Sequence, residues 1–203
     1  LTGSSGKTTV KEMLAGILRA ASGSDAVHAT RGNLNNHVGV PLTLLELRDS
    51  HRHAVVEMGM NHAGEIRYLT GIAAPDVAIV NKAGRAHIEF LGSEEAIARA
   101  KGEIFEGLAN GGTAVINADD RFAPLWRDIA RGFRIVEFAL DKDADIKAEY
   151  KLGDLSSQLL IRLVDREVSV SLPAPGLHNV RNALAAAAAA WALGIGPESI
   201  AQG

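Results

Sequence analysis

The 203 residues include no cysteine, so neither a disulfide nor a cysteine-held metal can brace the fold, which suits a reducing compartment. No run of eighteen or more apolar residues occurs, which leaves no candidate for a membrane-spanning helix. Basic excess is missing too. The 21 Lys and Arg are outnumbered by 24 Asp and Glu, and no Lys/Arg run is found, which argues against nucleic acid or an anionic membrane as the main partner. Internal repeats and a signal-like start are also lacking. The chain opens at Leu1 without an initiator Met and ends in "GIGPESIAQG" with no closing element, so it is expected to be a piece of a longer protein. What is present is a composition 47% hydrophobic and 22% charged, enough for one domain with a sizeable core.

The first stretch that carries chemistry is "LTGSSGKTTVKEML". Small residues let a loop curl so that backbone N–H groups point inward, and an anion held there is also favoured by the following helix N-terminus. The nucleotide-binding pattern G-x-x-x-x-G-K-[ST] is met only at its tail, because Leu1 stands where the first glycine belongs. Gly3 and Gly6 still supply the tight turns, Lys7 a cation for the β- and γ-phosphates, and Thr8 a hydroxyl for Mg²⁺, so the loop reads as an ATP site.

Buried strands are predicted at residues 53–58, 76–81, 112–117 and 134–140, alternating with helices at 7–21, 62–73, 93–109 and 121–131. That alternation predicts an α/β fold, a mostly parallel sheet with helices on both faces. After Asp141 the pattern becomes that of short antiparallel strands, predicting a β-hairpin extension near 145–172 with turns at Gly153-Asp154 and Asp165-Arg166. A helix rich in alanine, suited to close packing, follows in "HNVRNALAAAAAAWALG".

In open α/β sheets ligands bind beyond the carboxyl ends of the strands, so polar residues that end apolar runs matter most. Glu57 ends "AVVE", His87 follows the strand that closes at Asn81, and Asn117 and Asp119 follow "TAVI". Glu57 suits either a magnesium ligand or a cap on the next turn. Lys101 is more unusual. In a helix capped by Ser93, residues Ile97, Lys101, Ile104, Phe105 and Leu108 fall on one apolar face with the lysine at its middle. Such a lysine can snorkel to the rim. Alternatively, desolvation lowers its pKa and leaves a neutral amine able to add CO₂, giving a carbamate that ligates Mg²⁺.

Taken together, "TGSSGKTT", "TRGNLNNHVGVPLTLLEL", "VVEMGMNHAGEI", "NKAGRAHIEFLGS", "IARAKGEIFEG", "INADD" and "APGLHNVRNALAA" resemble, in order, the central ATPase domain of the Mur ligases, which join amino acids to peptidoglycan precursors. The resemblance covers nearly all of residues 1–203 and implies that the uridine-binding and C-terminal domains lie outside them. It implies that Gly3, Ser4, Ser5, Gly6, Lys7, Thr8 and Thr9 cradle the phosphates of ATP, and that Thr8, Glu57 and His87 hold Mg²⁺, two ions in all. Lys101 becomes the lysine that the family carbamylates, and Lys7, Glu57, His87 and Lys101 the catalytic set. His178 and Asn182 would lie against the adenine, and Thr30, Asn33, Asn35, Asn36 and Asn61 would face the muramoyl peptide. "GNLNNHVGVP" and "EMGMNHAGEI" look most like the members that add D-alanyl-D-alanine to UDP-N-acetylmuramoyl-tripeptide. A cytoplasmic monomer is implied as well. The alternatives are a sister Mur ligase or a folylpolyglutamate synthase-like enzyme on the same domain and, from another class, a nucleotide-gated binding module that forms no bond.

Overall fold

The computed structural model describes residues 1–84 and 88–203. Along the chain run α1 (Lys7–Ser22), β1 (Val27–Ala29), α2 (Gly39–Leu45), β2 (His53–Val55), α3 (Glu65–Ala73), β3 (Val77–Val80), α4 (Ile88–Leu91) and α5 (Glu94–Gly102). They are followed by β4 (Thr113–Asn117), α6 (Ala123–Ile129), β5 (Arg134–Ala139), β6 (Ile146–Leu152), β7 (Ser157–Leu163), β8 (Arg166–Leu172), α7 (Leu177–Ala192) and α8 (Pro197–Gln202).

The three predicted runs that become β3, β4 and β5 are parallel neighbours, and their register sets Ile79, Val115 and Val136 side by side. Those residues enter one core, covered by α1, α7 and α8; Ala78, Val80, Ala114 and Ile116 enter the other, covered by α3, α5 and α6. Burial on both faces explains why β3 and β4 read as continuous apolar runs rather than as alternating ones. β1 and β2 form a separate parallel pair. Leu1 and Thr2 join the two sheets, Leu1 through Val56 and Met58, Thr2 through Ile79 and Asn81, with four backbone hydrogen bonds of 2.8–3.0 Å.

The antiparallel extension expected near 145–172 is present as β6, β7 and β8, and it is joined to the parallel strands because β6 pairs parallel with β5 through Phe138 and Ile146 before the chain folds back, making one six-stranded sheet. Its second turn falls at Val164-Asp165, with Val164 in the left-handed region at φ 56°. The helix expected over 93–109 ends at Gly102 and tightens into a 3₁₀ turn, Glu103–Gly107. Gly102 is the cause. It packs beneath α6, where a Cβ would meet Ile129 Cδ1 at 2.5 Å, and glycine favours the helix interior poorly. The tighter turn aims the Glu103 carboxylate at the start of α3, where it accepts the Gly64 and Arg67 N–H groups at 2.9 and 3.1 Å.

Candidate active site

The glycine loop connects the Leu1–Thr2 seam to α1. Gly6 caps that helix in the left-handed region, at φ 76°. A Cβ on Gly6 would lie 2.3 Å from Asn182 Oδ1 and 2.7 Å from Asn81 Nδ2, so only glycine fits this close approach. Three buried amides brace the loop from behind. Asn117 donates to the Asn81 carbonyl at 2.9 Å, and Asn81 Nδ2 donates to Asn182 Oδ1 at 3.0 Å and the Ser5 carbonyl at 3.2 Å. Ser4 is tied to the next loop, its Oγ accepting the Gly84 N–H at 2.9 Å. Lys7 arches over the loop and donates to the Gly3 carbonyl at 3.0 Å, while Ser5 and Thr8 stand exposed and Thr9 half-buried. A 16-residue helix N-terminus, a cradle that a methyl group would fill and an arching ammonium together fit a phosphate chain.

Beside the loop lies a corner built of oxygen atoms. Glu57 is 2% exposed, and its carboxylate accepts the Thr8 hydroxyl at 3.0 Å and the Asn35 amide at 2.7 Å. It has no ion-pair partner among the described residues. A nearly buried carboxylate touched only by neutral donors, next to a threonine hydroxyl, fits a hard divalent cation such as Mg²⁺. Among the described residues no group of three His, Asp or Glu could hold a metal, so phosphate oxygens and water would supply the rest of such an ion's shell. His87 lies outside the described residues.

A cleft of about 360 Å³ opens from this corner, and Lys7, Lys101, Asn33, Asn35, Asn36 and Asn61 all line it. Lys101 is 2% exposed and has no hydrogen-bond or ion-pair partner among the described residues. Burial, with a smaller push from the Lys7 cation, lowers its pKa from 10.5 to about 7. Thus the two lysines that the sequence singled out share one cavity. On its rim, burial works to raise the Glu65 carboxyl, but the N–H groups of Asn61 and His62 and the His62 ring outweigh this and hold it below the usual range.

Other expected residues take more specific places. Thr30 is buried, and its hydroxyl accepts the Glu57 N–H at 2.9 Å, so it faces the carboxylate strand. Asn36 caps α2, accepting the Val38 and Gly39 N–H groups at 3.1 and 2.9 Å. Asn182 is buried against Gly6, and His178 is exposed with its ring over Gly176. Asn81 received no role from the sequence, although, like Glu57, it is a polar residue closing an apolar run.

Residues 1–190 match the family model described as the Mur ligase middle domain. The chain is 44% identical over 196 residues to the UDP-N-acetylmuramoyl-tripeptide--D-alanyl-D-alanine ligase of Haemophilus influenzae, an alignment covering 96% of this chain and 42% of that protein. Among solved structures, MurF from Acinetobacter baumannii superposes with a TM-score of 0.94 at 42% identity, over 98% of this chain and 43% of that one. The Thermotoga maritima MurF ligase in complex with ADP superposes at 0.85 with 30% identity, over 99% and 47%. The chain therefore spans less than half the length of these relatives.

Proposed function

Because the chain belongs to the Mur ligase middle-domain family, we propose that it is the ATP-binding part of a ligase that joins D-alanyl-D-alanine to UDP-N-acetylmuramoyl-tripeptide. The observation that carries this reading is the convergence of Lys7, Lys101 and the asparagine loop on one cleft beside the Thr8–Glu57 corner. A nucleotide switch has no need of a buried lysine that faces a cleft of about 360 Å³ with no partner among the described residues.

In the proposed reaction the terminal carboxylate of the tripeptide attacks the γ-phosphorus of ATP, the bond to the bridging oxygen breaks, and ADP leaves with its electron pair. The dipeptide amine then attacks the resulting acyl phosphate, an amide forms as that nitrogen gives up a proton to solvent, and inorganic phosphate departs with the electron pair of the broken C–O bond. The loop from Gly3 to Thr9 binds and orients the phosphates, with Lys7 swinging from the Gly3 carbonyl to the transferring group. At ~4 Å and an effective dielectric of 20, one opposite-charge pair is worth about 4 kcal/mol, and holding the reactants in line supplies much of the rest. Mg²⁺, two ions held among Thr8, Glu57, His87 and a modified Lys101, would neutralise phosphate charge. With its pKa near 7, Lys101 is largely neutral in mildly alkaline solution and can attack CO₂. A C–N bond forms, an amine proton leaves to solvent, and the carbamate presents oxygen atoms to the cleft. Asn182, with His178, is the contact offered to the adenine, and Asn33, Asn35, Asn36 and Asn61, with Thr30 behind them, form the muramoyl-peptide side. The enzyme works as a cytoplasmic monomer; no helix among the described residues is long and apolar enough to cross a membrane.

Phosphate release by the full-length protein with Mg-ATP and UDP-muramoyl-tripeptide tests this reading, with D-alanyl-D-alanine and single amino acids compared as acceptors. Release with the dipeptide alone is expected. Release only with a single amino acid would move the protein to a sister ligase or a folylpolyglutamate synthase-like enzyme. Hydrolysis indifferent to every acceptor would favour the nucleotide-gated module.

A further inference from the structure

Four residues after Lys7, α1 carries a second lysine that the proposed chemistry does not use. Lys11 is 1% exposed, among the largest fully buried side chains, on a face otherwise made of Val10, Leu14, Ala15 and Leu18. Its ammonium has two partners. One is the carboxylate of Glu12, at 2.8 Å but itself 59% exposed. The other is the backbone carbonyl of Thr30, at 2.8 Å.

Withdrawing an ammonium from water is costly, and a methionine of similar volume would fill the same space without that cost. The charge must therefore be judged by what it holds in place. Thr30 follows the last residue of β1 and is gripped on three sides: its N–H donates to the Val55 carbonyl at 3.0 Å, its carbonyl accepts Lys11, and its hydroxyl accepts the Glu57 N–H. Through that hydroxyl the pairing of β1 and β2 is carried one step past the strand ends, to the residue whose carboxylate meets Thr8. Thr8 and Lys11 lie within one turn of the same helix. The path from Lys11 through Thr30 and Glu57 to Thr8 thus closes a ring that starts and ends on α1.

We propose that Lys11 is a positioning residue for the metal corner: by holding the Thr30 carbonyl it fixes the Thr30 hydroxyl, and with it the backbone of Glu57, against Thr8. The inference rests on the reading that Glu57 and Thr8 hold the divalent ion. Outer-shell partners of metal ligands typically change metal affinity 10–100-fold when removed. Here the link is two steps long, so the effect belongs at the lower end, roughly tenfold.

The test uses the full-length protein with ADP and Mn²⁺ as the probe, free Mn²⁺ being counted by electron paramagnetic resonance. Lys11→Met should weaken Mn²⁺ binding roughly tenfold while leaving the urea midpoint unchanged or raised. Thr30→Val should weaken it similarly, Thr30→Ser little, and the Lys11→Met/Thr30→Val double variant no more than either single one, because both act through one path. In turnover by Lys11→Met, the Mg²⁺ concentration for half-maximal phosphate release should rise while the KM for the muramoyl peptide stays put. Wild-type Mn²⁺ binding in Lys11→Met would overturn the proposal, as would effects that multiply in the double variant. A Lys11→Met protein that failed to fold would also overturn it, making the lysine a structural brace. If the unaltered protein bound no Mn²⁺, the metal reading beneath the proposal would fall with it, a result distinguishable from failure of the link alone.

Discussion

Replacing Lys101 by methionine preserves the volume and helix preference of a side chain that is 2% exposed and removes only its ammonium. In the folded protein that amine titrates near 7 rather than 10.5, first because burial strips its water and second because Lys7 repels it. Between those two values the unfolded chain binds a proton that the folded chain does not, so stability must rise with pH across that window. Below about pH 7 both states are protonated and the whole cost is present. At about 1.4 kcal/mol for each pH unit it is on the order of 5 kcal/mol. From pH 7 to pH 9 the native amine sheds its remaining proton and about 2 kcal/mol is regained. With an m-value near 2 kcal/mol per molar urea, that is a rise of roughly 1 M in the unfolding midpoint of the wild type relative to Lys101→Met. The assay is paired urea titrations of both proteins at the two pH values in CO₂-free buffer, the difference between them cancelling every other titrating group. Parallel pH dependence in the two proteins would refute the claim that Lys101 is held as a desolvated amine. Bicarbonate added to the wild type, but not to the variant, should then change the midpoint.

Lys7→Ala should cut acceptor-dependent phosphate release by the full-length protein at least about 100-fold while barely moving the urea midpoint, since the side chain is only half-buried; near-normal turnover would remove Lys7 from the chemistry. Gly6→Ala must place a methyl group 2.3 Å from Asn182 Oδ1 on a left-handed backbone, so nucleotide binding followed by calorimetry should be lost, with about 1–3 kcal/mol of destabilisation. Glu103→Ala strips the Gly64 and Arg67 N–H groups of their buried acceptor and should cost about 2–3 kcal/mol in urea unfolding. An unchanged midpoint would show that water replaces the carboxylate.

The alternation of strands and helices, the glycine loop and the two cleft lysines were legible because each leaves a local signature. An apolar run is buried on both faces, a glycine and lysine stand before a helix, and a charge interrupts an apolar stripe. β1 was not legible: three residues, Val27–Ala29, are too few for a period to emerge, and their pairing with β2 is a tertiary event. α2 hides behind Pro41 and presents Leu42 and Leu45 outward, with the exposed Val38 just before it, so no inward-facing stripe betrays it. The break at Gly102 follows from contact with α6, which helical spacing alone does not encode. In the site, Asn81 and Thr30 share one difficulty. Their side chains act on groups brought from distant parts of the chain, Asn81 on the Ser5 carbonyl and the Asn182 amide and Thr30 on the Glu57 N–H, so residue type without partners says little.

The alanine stretch of α7 has a consequence of its own. Six successive residues, Ala185 to Ala190, have no exposed surface, so the helix is enclosed around its whole circumference where it threads between α1 and the sheet. No side chain there is large enough to truncate, and almost every substitution adds volume to a space already filled. Random change in this segment has essentially one direction open to it. In a library of variants selected for folding, these six positions should admit glycine and serine at some loss and reject nearly everything else, whatever their distance from the nucleotide.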